Sequence, residues 1–86
     1  MREVEPQRRS VFPGFAEMAE SRRRLVNELV ARRRAQGLSQ TEVAARMGTS
    51  QSAVARLEAS TGDLKVSTLE RYAAAVGAPI SWGLAP

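Results

Sequence analysis

The stretch SQTEVAARMGTSQSAVARLE, from Ser39 to Glu58, admits few folds. Ser39 can accept a hydrogen bond at a helix start, and Glu42 three residues on can return one, the Ser-x-x-Glu capping box. Val43, Ala44 and Met47 then supply one apolar face about a turn long. Gly48 stops that helix, because glycine enters the left-handed C′ conformation without a Cβ penalty. Thr49 and Ser50 suit a turn and a second N-cap. The next helix opens at Gln51, turns Val54 and Leu57 inward, and leaves Gln51, Ser52, Ala55 and Arg56 outward. Ala44 falls where two helices crossing steeply over so short a turn must touch. A bulky side chain there would hold them apart. Ala44, Gly48, Val54 and Leu57 jointly specify a helix-turn-helix.

The rest of the chain offers little room for other chemistry. Its 86 residues make one small domain, near the low end of what folds alone, so a second subunit is expected to supply part of the burial. Cysteine and histidine are both absent. Disulfides, cysteine-ligated metals, the usual zinc ligand and the usual general base go with them. No Gly-rich phosphate loop, Ser/His/Asp set or paired-carboxylate site is present, and the expectation is a non-enzyme without cofactor or metal. No apolar run approaches the roughly 18 residues of a membrane span, and no signal peptide is visible. A soluble, cytoplasmic domain is expected.

Charge is unevenly placed. Residues 1–38 carry nine arginines against five glutamates, whereas residues 39–86 are balanced, so the whole excess of +4 lies upstream of the helix-turn-helix. Twelve of the thirteen basic residues are arginine, whose planar fork suits bidentate contact with phosphates and guanine edges. A genome rich in arginine and alanine codons would give the same bias, so composition favours a nucleic-acid partner only modestly.

In chain order, residues 1–14 hold two prolines, a glycine and no period, the pattern of a mobile arm. It reads chiefly as a solvated tail, although Arg8 and Arg9 are within reach of a phosphate or groove. A long helix is expected from Phe15 to Gln36, with Phe15, Met18, Leu25, Val26, Leu29 and Val30 at helical spacing and Gly37 as its stop. Two arginine triplets, Arg22–Arg24 and Arg32–Arg34, spread around that helix, so some members must turn away from solvent. Residues 59–65 form a loop. Ser67 and Glu70 then repeat the capping-box spacing ahead of Leu69, Tyr72, Ala73 and Val76, and Gly77 closes this last helix. Beyond Pro79, Ile80, Trp82 and Leu84 alternate with Ser81 and Gly83, a period of two that favours a short edge strand over a single helical turn.

From Gly37 to Glu58 the sequence resembles the Xre, or lambda-repressor-like, helix-turn-helix family of repressors, regulators and antitoxins. The likeness comprises Arg33, four residues before Gly37, then GLSQTEVAARMGTSQSAVARLE and LERYAAAVGAPISW, and covers about residues 26–82. It implies an all-α fold of four to five helices, with the second motif helix in the major groove of double-stranded DNA. Gln51, Ser52 and Arg56 would then face base edges, while Gln40, Thr49 and Ser50 would hold phosphates. Arg33 and Glu58 match a family pair that joins the first helix to the recognition helix. Two departures stand out. Ala59 replaces the polar residue or glycine that often closes the recognition helix, and the capped fifth helix of phage repressors is missing. The alternating ISWGL is more like the ending of Xre antitoxins, in which strands from two subunits can pair.

Three segments follow: an arm (1–14), a helix-turn-helix domain with an extended first helix (15–78) and a strand (79–86) that dimerises through Ile80, Trp82 and Leu84. The alternative for the last is that Trp82 folds back on its own subunit against Tyr72 and Val76. The function expected is sequence-specific DNA binding by a homodimeric transcriptional regulator, a repressor acting at a pseudo-palindromic operator. The second reading is an antitoxin that neutralises a partner toxin and regulates its own operon.

Overall fold

In the computed structural model, residues 15–60 and 64–81 are described, except for the Phe15 side chain. They form four α-helices in the order α1 (Phe15–Ala35), α2 (Gln40–Met47), α3 (Gln51–Ala59) and α4 (Val66–Ala75). α2 packs on both α3 and α4, and α1 packs on α3. One core joins them. Val26 and Leu29 enter it from α1, Val43, Ala44 and Met47 from α2, Val54 and Leu57 from α3, and Leu69, Tyr72 and Ala73 from α4, with Val76 just beyond.

α1 is 21 residues long, but only its C-terminal part is built into the core. Val26, Leu29 and Arg33 lie on one buried face, flanked by half-buried Leu25 and Val30. Residues 16–21 are exposed, Met18 to 53%. The arginine triplets resolve differently. In the second, Arg33 is buried while Arg32 and Arg34 are exposed; in the first, Arg22 and Arg23 are half-buried and Arg24 is exposed.

The expected ends of α2 are present. Ser39 Oγ accepts from Glu42 N at 3.0 Å, and Glu42 Oε1 accepts from Ser39 N at 2.7 Å. At the other end Gly48 has φ 70°, Thr49 N donates to Ala44 O at 2.9 Å and Gly48 N to Ala45 O at 3.2 Å. This is the Schellman arrangement, which satisfies two carbonyls that have no partner within the helix. α1 ends in the same way at Gly37 and α4 at Gly77. Side chains from neighbouring helices take further carbonyls: Gln36 Nε2 donates to Val76 O at 2.5 Å, Arg46 Nη1 to Ala75 O at 2.7 Å and Arg71 Nη2 to Met47 O at 2.8 Å. The C-termini of α1, α2 and α4 are thus tied together.

Three expectations need correction or fall outside this description. α4 starts at Val66 with Lys65 in the N-cap position and no side-chain cap bond, so Ser67 is already inside the first turn and cannot cap it. Ala59 belongs to α3, which is capped by Ser60 instead. Residues 78–81 are neither helix nor strand, and Ile80 is half-buried against the core of its own subunit. Trp82 and Leu84, which carry most of the expected strand, lie outside the described residues, as do the arm and residues 61–63 of the expected loop.

Gly48 provides a clean test of the turn. A Cβ there would meet nothing within 4 Å, so any cost of Gly48→Ala comes from the left-handed backbone alone, about 1–2 kcal/mol. Urea denaturation should show that loss, with Gly48→Asn losing less. An alanine variant as stable as wild type would contradict the assigned turn geometry.

Candidate nucleic-acid interface

α3 is set by its ends and by its buried side. Ser50 Oγ accepts from Ala53 N at 3.1 Å, fixing the first turn. Val54 and Leu57 are buried, which turns Gln51, Ser52 and Arg56 to solvent; Ala55, expected outside, is half-buried. Thr49 and Ser50 are exposed in the turn between α2 and α3. Gln40, Gln51, Ser50 and Ser52 are brought together where α2 and α3 begin, whereas Arg56 stands in the last turn of α3 beside Ser60, Leu64 and Thr68. Gln40, the first residue of α2, comes within 2.6 Å of Gln51, the first of α3: Gln51 Nε2 donates to Gln40 Oε1.

Beneath Gln40 lies the Glu58 carboxylate, whose side chain is 8% exposed. Arg33 grips it bidentately, Nε to Oε2 at 2.6 Å and Nη2 to Oε1 at 3.0 Å. Tyr72 OH donates to Oε2 at 2.6 Å, and Gln40 Nε2 donates to Oε1 at 2.8 Å. Arg33 also donates from Nη1 to Leu38 O at 2.8 Å, bracing the α1–α2 link. The expected Arg33–Glu58 pair is present and buried.

The charge states follow from these contacts. Burial pushes the Glu58 carboxyl up, but hydrogen bonds from Arg33, Tyr72 and Gln40 and the charge of Arg33 outweigh it and hold the group below its ordinary value. The hydrogen bond to Glu58 raises Arg33, against its own burial. Burial, then the neighbouring carboxylate, pushes the Tyr72 hydroxyl well up, so it stays a neutral donor.

Two members of this cluster were not read from the sequence as such. Tyr72 was assigned to the apolar period of α4 and is fully buried there. The available signal was chemical: a buried tyrosine hydroxyl needs a partner, and an acid lay nearby in Glu58. Gln40 was assigned to phosphate alone, whereas its side chain bridges Glu58 and Gln51. Among the described residues no group of acids could hold a metal ion, and no helix is long and apolar enough to cross a membrane.

The fold and this arrangement define a four-helix domain carrying a helix-turn-helix. The chain matches the family model described as Helix-turn-helix over residues 29–83. It belongs to the Xre, or lambda-repressor-like, family of DNA-binding helix-turn-helix proteins. It is 51% identical over 67 residues to proteins named Antitoxin HigA1 in two Mycobacterium tuberculosis strains, CDC 1551 / Oshkosh and ATCC 25618 / H37Rv. The alignment takes in 78% of this chain and 45% of each relative, so the chain spans about half the length of the curated relatives it matches. No solved structure gives a significant match.

The Glu58 cluster has a measurable consequence. Glu58→Ala strands a buried guanidinium, a loss of roughly 3–5 kcal/mol, and its melting temperature should fall well below that of wild type. The pH dependence has a definite sign. Because folding lowers the carboxyl from its ordinary 4.5, its contribution is complete above that value and disappears as pH falls through the depressed one. Thermal melts from pH 7 to pH 2 should therefore lose less stability in Glu58→Gln than in wild type. Parallel curves would show the carboxylate to be energetically idle.

Proposed function

We propose that the chain binds double-stranded DNA sequence-specifically as a homodimeric transcriptional repressor, with α3 in the major groove. The observation that carries this is the exposed face of α3, with Gln51 and Ser52 in its first turn beside Gln40 and Arg56 in its last, on helices fixed by caps, core and the Glu58 cluster. Gln51, Ser52 and Arg56 read base edges, Arg56 with the fork that matches guanine. Gln40, Thr49 and Ser50 face phosphates, where free amides at the N-termini of α2 and α3 favour an anion. Gln40 retains one Nε2 proton for that purpose beyond its bond to Glu58.

One helix-turn-helix reaches a single half-site, so two copies on a pseudo-palindromic operator are part of the reading. The reading puts the dimer contact in the segment 79–86, at Ile80, Trp82 and Leu84. The protein would act in the cytoplasm, on the nucleoid when bound. A second role is favoured by the relatives named antitoxins: neutralising a partner toxin, with DNA binding as regulation of the shared operon. The exposed N-terminal turns of the extended α1 are one surface on which a toxin can dock.

Footprinting of genomic fragments would supply the operator. On it, Arg56→Ala should cost about 1–3 kcal/mol and relax preference at one position. Equal loss on cognate and random DNA would remove Arg56 from base reading.

Assembly is tested by truncation after Gly77. The dimer reading gives a folded or partly folded monomer by sedimentation, with operator affinity in gel shifts reduced by orders of magnitude. A truncated protein that still sediments as a dimer and still binds would rule out the C-terminal contact.

A further inference from the structure

The first arginine triplet has no part in the core, the helix caps or the Glu58 cluster. Arg24 is exposed and donates to Ser21 Oγ at 3.1 Å, whereas Arg22 and Arg23 are half-buried. Both line an open groove of about 300 Å³ between α1 and the end of α3, with Val26 from α1 and with Ser60 and Leu64 opposite. Ser60 is the C-cap of α3, and it and Leu64 also stand beside Arg56. The groove therefore continues to the exposed face of α3. Among the described residues Glu20 is the one acid that lines it, against two arginines, and Arg23 has no hydrogen-bond or ion-pair partner there. A guanidinium partly withdrawn from water loses hydration that a bound anion restores.

We propose that Arg22 and Arg23 hold a backbone phosphate of the operator just outside the half-site that α3 reads. This rests on the DNA-binding reading above. A recognition helix meets base edges with its N-terminal residues. Ser60 follows Gln51 by nine residues, about 13 Å along the axis, which reaches the rim of a major groove about 12 Å wide. Phosphates line that rim, and from Ser60 the groove leads to the two arginines. Their planar forks suit a phosphate, and such a contact adds affinity without reading sequence. Both arginines lie upstream of residues 29–83, which match the helix-turn-helix model. The extended first helix would thus lengthen the DNA footprint of the domain.

The test measures binding of the full chain to the footprinted operator as salt is varied. Each phosphate neutralised adds about 0.9 to the slope of log K against log salt. Arg23→Gln, and the double variant Arg22→Gln with Arg23→Gln, should lose about that much slope and about tenfold in affinity at moderate salt. Base preference should stay unchanged at every position, unlike the loss in Arg56→Ala. Arg23→Lys keeps the charge and should keep the slope. Trimming the duplex at its outer ends to the half-sites should cost wild type the same factor and the double variant nothing.

Slope and affinity unchanged in Arg23→Gln overturn the proposal, as does relaxed discrimination at a single base position. A double variant as sensitive to trimming as wild type overturns it too. Should the double variant fail to fold, Arg23→Gln decides alone, since it removes no contact among the described residues. Selective binding by wild type, weakened by Arg56→Ala and untouched by Arg23→Gln, strikes this assignment and leaves the DNA-binding reading in place. Wild-type protein that binds no DNA fragment selectively overturns both.

Discussion

One carboxylate ties the four helices of this domain together. Glu58 accepts from Arg33 of α1 twice, from Tyr72 of α4 and from Gln40 of α2, while itself standing on α3. All four helices therefore meet at a single charged group. Burying an ion is costly unless its lone pairs are filled, and here each oxygen takes two donors. Apolar packing of Val54 and Leu57 would hold α3 against the core but leaves it free to shift by small amounts. Directional bonds to three other helices remove that freedom. A small core makes the arrangement more consequential for α1, which otherwise meets α3 only sparsely.

Backbone chemistry completes the frame. Three helices end in the same left-handed glycine turn, and Gln36, Arg46 and Arg71 cross between helix ends to take the carbonyls that remain. The N-termini of α2 and α3 are treated differently. Their serine caps satisfy part of the first turn, leaving amides beside Gln51 and Ser52, whereas Arg56 stands in the last turn of α3. The positive ends of the α2 and α3 dipoles lie at Gln40 and Gln51, which suits an anionic partner.

Local interactions made much of this readable in the sequence. Ser39, Glu42 and Gly48 act over three to five residues, so their spacing alone located α2, and the period of Val54 and Leu57 oriented α3. The Arg33–Glu58 pair came from resemblance to a family, because nothing in the sequence couples residues 25 apart. The Tyr72 and Gln40 bonds to Glu58 were missed for the same reason: each depends on how helices cross, not on what neighbours what along the chain. The misplaced start of α4 is a different failure. Ser67-x-x-Glu70 has the right spacing, but the helix was already formed from Val66, and a cap motif cannot act inside a turn. Alternation at Ile80, Trp82 and Leu84 is weaker information still, since a period of two over five residues does not say what lies opposite.

Bonded through Glu58 to all three other helices, α3 should be held as firmly as the core and open only when the whole domain does. Native-state hydrogen exchange of backbone amides tests it directly, because locally opening segments exchange faster than the global limit. The amides of Val54 and Leu57 should exchange at the rate of global unfolding, in step with those of Leu29 and Tyr72. Exchange of the α3 amides well ahead of the core, through an opening confined to α3, would contradict it.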